Sequence, residues 1–89
     1  MPYSLEFEPE WDVHFSKIDK SLQRKIWKKI QAQKRETKTR HLRFGVEFSV
    51  VEAGQYRVVL KIDEREKSKK IHFVGNHKQY EKWLKGLKN

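Results

Sequence analysis

The stretch Gly54-Gln55-Tyr56-Arg57-Val58-Val59-Leu60-Lys61-Ile62-Asp63 alternates in character. Tyr56, Val58, Leu60 and Ile62 fall on one side, and Arg57, Val59, Lys61 and Asp63 on the other. A period of two in β-branched and aromatic residues marks a half-buried strand. The reading puts the first set beneath helices and holds Arg57 and Lys61 out on an open cationic face. Ala53-Gly54-Gln55 is a turn, with Gly54 available for positive φ. The apolar runs Phe44 to Val51 and Ile71 to Val74 are expected to lie beside this strand in one sheet.

Working outward, Tyr3, Leu5 and Phe7 alternate as a first short strand facing the core, which Glu8-Pro9 closes. Trp11, Phe15 and Ile18 recur at helical spacing. Leu22, Ile26 and Ile30 recur at i+4, with Trp27 widening the stripe and Asp19 placed to cap it. Two consecutive helices predict a helical hairpin laid on the sheet. Lys34 to Arg40 is a polar loop, and Leu42 begins a second strand carrying Val46, Phe48 and Val50 on one side, with Gly45 at a bulge or bend. Glu64 to Lys70 is a charged turn. His72, by alternation, shares a face with Val74. Tyr80, Trp83, Leu84 and Leu87 predict a short C-terminal helix. The expected class is α+β, in the order β-α-α-β-β-β-α, with a small, mostly antiparallel four-stranded sheet. All 89 residues form one domain, since a chain this short buries only roughly 60–65% of its unfolded surface and supports one small core.

The formal net charge of +9 is unevenly spread. Residues 1–19 carry −4, residues 20–40 carry +8, residues 41–66 carry −1 and residues 67–89 carry +6. Charge this concentrated predicts a polyanionic partner. The basic second helix and its loop present Arg24, Lys25, Lys28, Lys29, Lys34, Arg35, Lys38 and Arg40 to phosphate backbones without reading sequence. There is no cysteine, and the histidines lack ligand spacing, so neither a disulfide nor a metal site is expected, and no cofactor. No signal-like segment or membrane-length apolar run occurs, so the expectation is a cytoplasmic protein.

Metal-independent RNA cleavage by 2′-OH attack needs a base, an acid and a cation at the phosphorane. Arg57, His77 and Tyr80 are the right residue types. Taken singly, each also has a plainer reading: a solvated strand face for Arg57 and Lys61, a helix N-terminal surface for His77, packing beside Trp83 for Tyr80.

Where Gly54-Gln55-Tyr56-Arg57-Val58-Val59 meets Val74-Gly75-Asn76-His77-Lys78-Gln79-Tyr80, the chain resembles the RelE/ParE toxin superfamily, and the Gly-x-His-x-x-Tyr form most resembles its HigB branch. The resemblance implies a toxin of a type II toxin–antitoxin system, a ribosome-dependent mRNA endonuclease that inhibits translation and is neutralised by an antitoxin. It implies phosphate stabilisation by Arg57, acid or base work by His77, and substrate orientation by Tyr80. Relatives carry lysines on the strand before the hairpin, whereas Val46 to Glu52 has none; Arg43, Lys61, Lys69 and Lys70 are the cations that remain to contact RNA. Two alternatives stay open: a ParE-like gyrase inhibitor, and a catalytically inactive RNA- or protein-binding module with the toxin fold.

Overall fold

A computed structural model of the chain describes residues 2–35, 40–41 and 48–88. The strand singled out above, β4 (Tyr56–Asp63), is the middle member of a five-stranded sheet. The others are β1 (Ser4–Phe7), β2 (Arg40–His41), β3 (Phe48–Ala53) and β5 (Ser68–Asn76), in the spatial order β1-β5-β4-β3-β2. Three neighbouring pairs are antiparallel, but β1 runs parallel to β5 with Ser4 opposite Ser68 and Phe7 opposite Ile71. The sheet is therefore mixed, with one strand more than expected. Gly54 has φ 64 at the first of the two residues linking β3 to β4, a sign glycine adopts without steric cost.

The predicted helical hairpin does not form. Glu10 lies in the left-handed region at φ 68, so no α-helix can start at Pro9 and run through it. Turns and one 3-10 turn, Phe15–Lys17, take its place. Trp11, Phe15 and Ile18 still pack against the core, which is why their spacing imitates a helix. The only α-helix before β2 among the described residues is α1 (Lys20–Ala32). Asp19 caps it, accepting from the Ser21 amide at 3.1 Å and from the Ser21 hydroxyl, an arrangement worth about 1 kcal/mol.

Helices cover both faces of the sheet, not one. On one face Ile26 and Ile30 of α1 pack against Val51, Ala53, Val58, Leu60, Ile71 and Val74. On the other, α2 (His77–Lys88) lays Tyr80 and Trp83 over Val50, Val59 and Phe73. Val59, expected on an open face, is fully buried. The charged end of that face, with Lys61 opposite Lys70, lies beyond this second cluster.

A shift in register between Val59 and Leu60 leaves His72 as the extra residue of β5, because Val59 pairs with Phe73 and Leu60 with Ile71. The bulge breaks the alternation. His72 meets Phe48 edge-on at 4.9 Å, while Val74 belongs to the α1-side core; the two do not share a face as the sequence suggested. Its Nε2 is buried with no hydrogen-bond partner among the described residues.

Burial pushes the His72 imidazole below its ordinary 6.5; Glu8 opposes the shift, and Lys70 and Lys61 add to it. The unfolded chain takes up this proton near pH 6.5, the folded one only at lower pH. Between those values the unfolded state binds more protons, so stability declines as pH falls through 6.5 and levels off once the folded imidazole is charged. His72→Phe, which keeps a ring against Phe48, is expected to flatten that decline in urea midpoints measured between pH 8 and 5. An identical pH slope in the variant would refute this account.

β5 begins at Ser68, so the expected charged turn is shorter than Glu64 to Lys70 and Lys69 is a strand residue. It is only 1% exposed. Its Nζ donates to the Arg35 carbonyl at 3.0 Å and sits 4.3 Å from the Tyr3 ring centroid. Tyr3 in turn donates from its hydroxyl to Glu64 at 2.6 Å and from its amide to the Lys34 carbonyl at 2.7 Å. A hydrogen-bonded ammonium over a ring face is a stabilising arrangement for a buried lysine. Lys69 thus ties the end of α1 to the sheet, with its ammonium buried and not presented on the surface as expected.

Candidate functional site

The site is built where β4, β5 and α2 meet. Arg57 lies opposite Gly75 of β5 and opposite Glu52 of β3, on the face that α2 covers, by alternation with Val59. Its guanidinium donates to the Tyr56 carbonyl at 3.2 Å and the Gly54 carbonyl at 3.4 Å, which hold it at the hairpin turn. No carboxylate among the described residues forms an ion pair with it.

Two residues past Gly75 the chain enters α2 through a capping box. The Asn76 amide donates to Gln79 Oε1 at 2.8 Å, and the Gln79 amide donates to Asn76 Oδ1 at 2.9 Å. This reciprocal pair fixes the helix start, and with it His77 at the first position and Tyr80 one turn on. His77 is exposed and pairs through Nε2 with Glu81 at 2.8 Å. Tyr80 is half-buried against Val50, Val59 and Phe73, so both plainer readings of these two residues hold, and neither removes them from the site. Glu81 was not anticipated, although its i+4 spacing from His77 on a helix was a usable signal. Cross-strand register also places Glu52 directly across from Arg57.

The predicted RNA contacts divide. Arg24, Lys25, Lys28 and Lys29 are exposed along α1, and Lys34 and Arg35 are exposed just after it. Lys61 is exposed, and Lys70 pairs with Glu8 at 3.5 Å. These two are paired on the neighbouring strands β4 and β5, at the far end from His77. Lys38, Leu42, Arg43, Gly45 and Val46 lie outside the described residues, as do the side chains of Arg40 and Leu87. Among the described residues no cluster of three potential metal ligands occurs, and no helix is long and apolar enough to cross a membrane.

A groove of about 840 Å³ runs between α1 and the β3–β4 hairpin. Leu22, Ile26, Ala32, Ala53 and Tyr56 form its apolar wall, and Lys25, Lys28 and Lys29 rim it.

No protein-family model matches the chain, and no curated protein matches it. Solved structures do. The chain resembles the toxin–antitoxin complex RelBE2 from Mycobacterium tuberculosis with a TM-score of 0.75 at 16% identity, over 86% of this chain and 93% of that one. A mutant Escherichia coli RelE toxin in the free state matches at TM-score 0.73 and 17% identity, over 99% and 97% of the two chains. The fold is that of the RelE toxins. An archaeal RelE–RelB complex from Pyrococcus horikoshii also shares it, at TM-score 0.69 and 14% identity over 85% and 96%. The RelE fold here carries helices on both faces of its sheet, and the α2 side holds Arg57, His77 and Tyr80 at one end.

Proposed function

We propose that this protein is the toxin of a type II toxin–antitoxin pair and cuts mRNA on the ribosome. The observation that carries the reading is the placement of Arg57, the capped start of α2 with His77, and Tyr80 at one end of the β4–β5 pair. In the reaction the 2′-oxygen attacks the adjacent phosphorus and the bond from phosphorus to the 5′-oxygen breaks. The products are a 2′,3′-cyclic phosphate and a 5′-hydroxyl. Arg57 steadies the extra negative charge on the phosphorane. His77, poised by Glu81, passes a proton, and Tyr80 orients the nucleotide. The exposed lysines of α1 supply sequence-independent affinity for ribosomal RNA. Primer extension on mRNA in programmed ribosomes tests this: cuts at A-site codons are expected, and ribosome binding without cuts would turn the reading to an inactive binding module. That second reading draws on the lysine-free strand β3 in the described range.

The antitoxin would present an acidic amphipathic helix to the lysine-rimmed groove beside α1, its apolar stripe on Leu22 and Ala53 and its carboxylates on the rim. Leu22→Glu places a charge on the groove wall and is expected to weaken the complex with the antitoxin at least about tenfold, roughly 1.4 kcal/mol. Unchanged affinity by calorimetry would place the docking surface elsewhere.

A further inference from the structure

The flank of α1 opposite the groove carries a different surface. Phe7, Trp11, Phe15 and Trp27 form a chain of rings: Phe7 to Trp11 at 4.9 Å, Trp11 to Phe15 at 5.1 Å, and Phe7 stacked on Trp27 at 5.9 Å. Trp27 nevertheless remains 40% exposed. It helps line a shallow hollow of about 310 Å³ with Phe15, Lys20, Gln23 and Arg24. The hollow is organised in advance of any ligand, because Gln23 donates from Nε2 to the Phe15 carbonyl at 2.9 Å. Lys20 and Arg24 stand one turn apart on α1, and Trp27 is three residues beyond Arg24 on the same side.

No carboxylate among the described residues lines it. Asp19, on which Arg24 acts weakly, is engaged at the helix cap by the Ser21 hydrogen bonds, which hold it below its ordinary value. An aromatic wall beside two cations, with no anion in the lining, is the pattern of a single-stranded nucleic-acid platform, in which a base stacks and its flanking phosphates meet positive charge. An apolar peptide side chain would fill the aromatic part and leave both cations without a counter-charge. A nucleotide brings ring and anion together.

We infer that Trp27, Phe15, Lys20 and Arg24 form a stacking site for an unpaired RNA base. This goes beyond the cleavage reading, because the site needs neither Arg57 nor His77. It is tested in the Arg57→Ala background, so that no cleavage complicates binding.

The probe is a labelled octa-adenylate followed by anisotropy across a salt series, with a labelled octaglutamate peptide as the competing chemistry. Trp27→Leu is expected to weaken octa-adenylate binding about tenfold with the salt slope retained, since stacking is worth roughly 1–3 kcal/mol per base. The pair Lys20→Gln and Arg24→Gln, both exposed and free of any packing role, is expected to lower the slope of log affinity against log salt by about 1.4, at roughly 0.7 per phosphate. Unchanged slope and affinity in that pair would overturn the inference even if Trp27→Leu failed to fold. Octaglutamate binding as tight as the RNA, and equally sensitive to Trp27→Leu, would overturn it in favour of a protein-facing surface.

Discussion

Replacing Arg57 with alanine is expected to abolish A-site cleavage while leaving ribosome binding nearly intact. The two effects separate because they rest on different charges. In the proposed reading binding would draw on the exposed cations of α1, of which Arg57 is not one, so removing it subtracts one charge from a chain whose residues 20–40 alone carry +8. Cleavage draws on charge that appears only in the transition state, and losing one preorganised donor at such a centre costs about 100- to 1000-fold. The guanidinium is held at the hairpin by the Tyr56 and Gly54 carbonyls, so Arg57→Lys is not a conservative change either: a lysine has neither the fork nor those two bonds in the same geometry. Primer extension with wild type and Arg57→Ala side by side reads the outcome. Equal cutting by both would remove Arg57 from the reaction.

The second large effect falls on stability. A methyl group at Gly75 would sit 2.6 Å and 2.9 Å from two ring carbons of Phe73 and 3.0 Å from Gln79 Cβ. Real Cβ atoms do not approach that closely, and the ring has little room to yield. Phe73 stacks on Trp83 at 5.6 Å and meets His14 edge-on at 5.6 Å. Gly75→Ala therefore overpacks a closed aromatic cluster and is expected to cost about 2–3 kcal/mol. In a domain of this size that lowers Tm by roughly 10–20 °C. Trimming the obstacle should reverse part of the loss, so Gly75→Ala combined with Phe73→Leu is expected to be less destabilised than the sum of the two single changes. Strict additivity in thermal melts would show that the clash is not the cause. Because Gly75 faces Arg57 and precedes His77 by two residues, surviving Gly75→Ala protein should also cut poorly.

What could be read from the residues, and what could not, separates along local and long-range lines. The alternation through Tyr56–Asp63 was legible because one face of β4 packs on α1 and the other on α2, and each face imposes period two. The i+4 run Leu22, Ile26, Ile30 was legible for the same reason. The segment Trp11 to Ile18 misled, since three apolar residues at helical spacing satisfy a turn-rich path as well as a helix, and the left-handed Glu10 is invisible in composition. The bulge at His72 depends on cross-strand register, and the parallel partner of β1 on contacts between the two ends of the chain. Neither leaves a local mark. Lys69 counted among the cations left to contact RNA where the strand lysines are missing, and its burial is not legible because its partners, a main-chain carbonyl and the Tyr3 ring, are remote in sequence. Arg57, His77 and Tyr80 stand out as a proposed site only together, through the superfamily resemblance; spacing alone favoured an ordinary strand face, helix surface and packing position.

The parallel pairing of β1 with β5 has a temporal meaning. Among the described strands β1 is made before all the others, yet its partner β5 is made after them, with Ser4 waiting for Ser68, and the α2 residues of the proposed site follow later still. Until then β1 has no edge to join, Tyr3 has no Lys69 to cover it, and His77 does not exist. Closing so long a loop is slow relative to local helix formation. A nascent chain that stops short of β5 therefore lacks the strand that joins β1 to β4, and the proposed site cannot assemble in it.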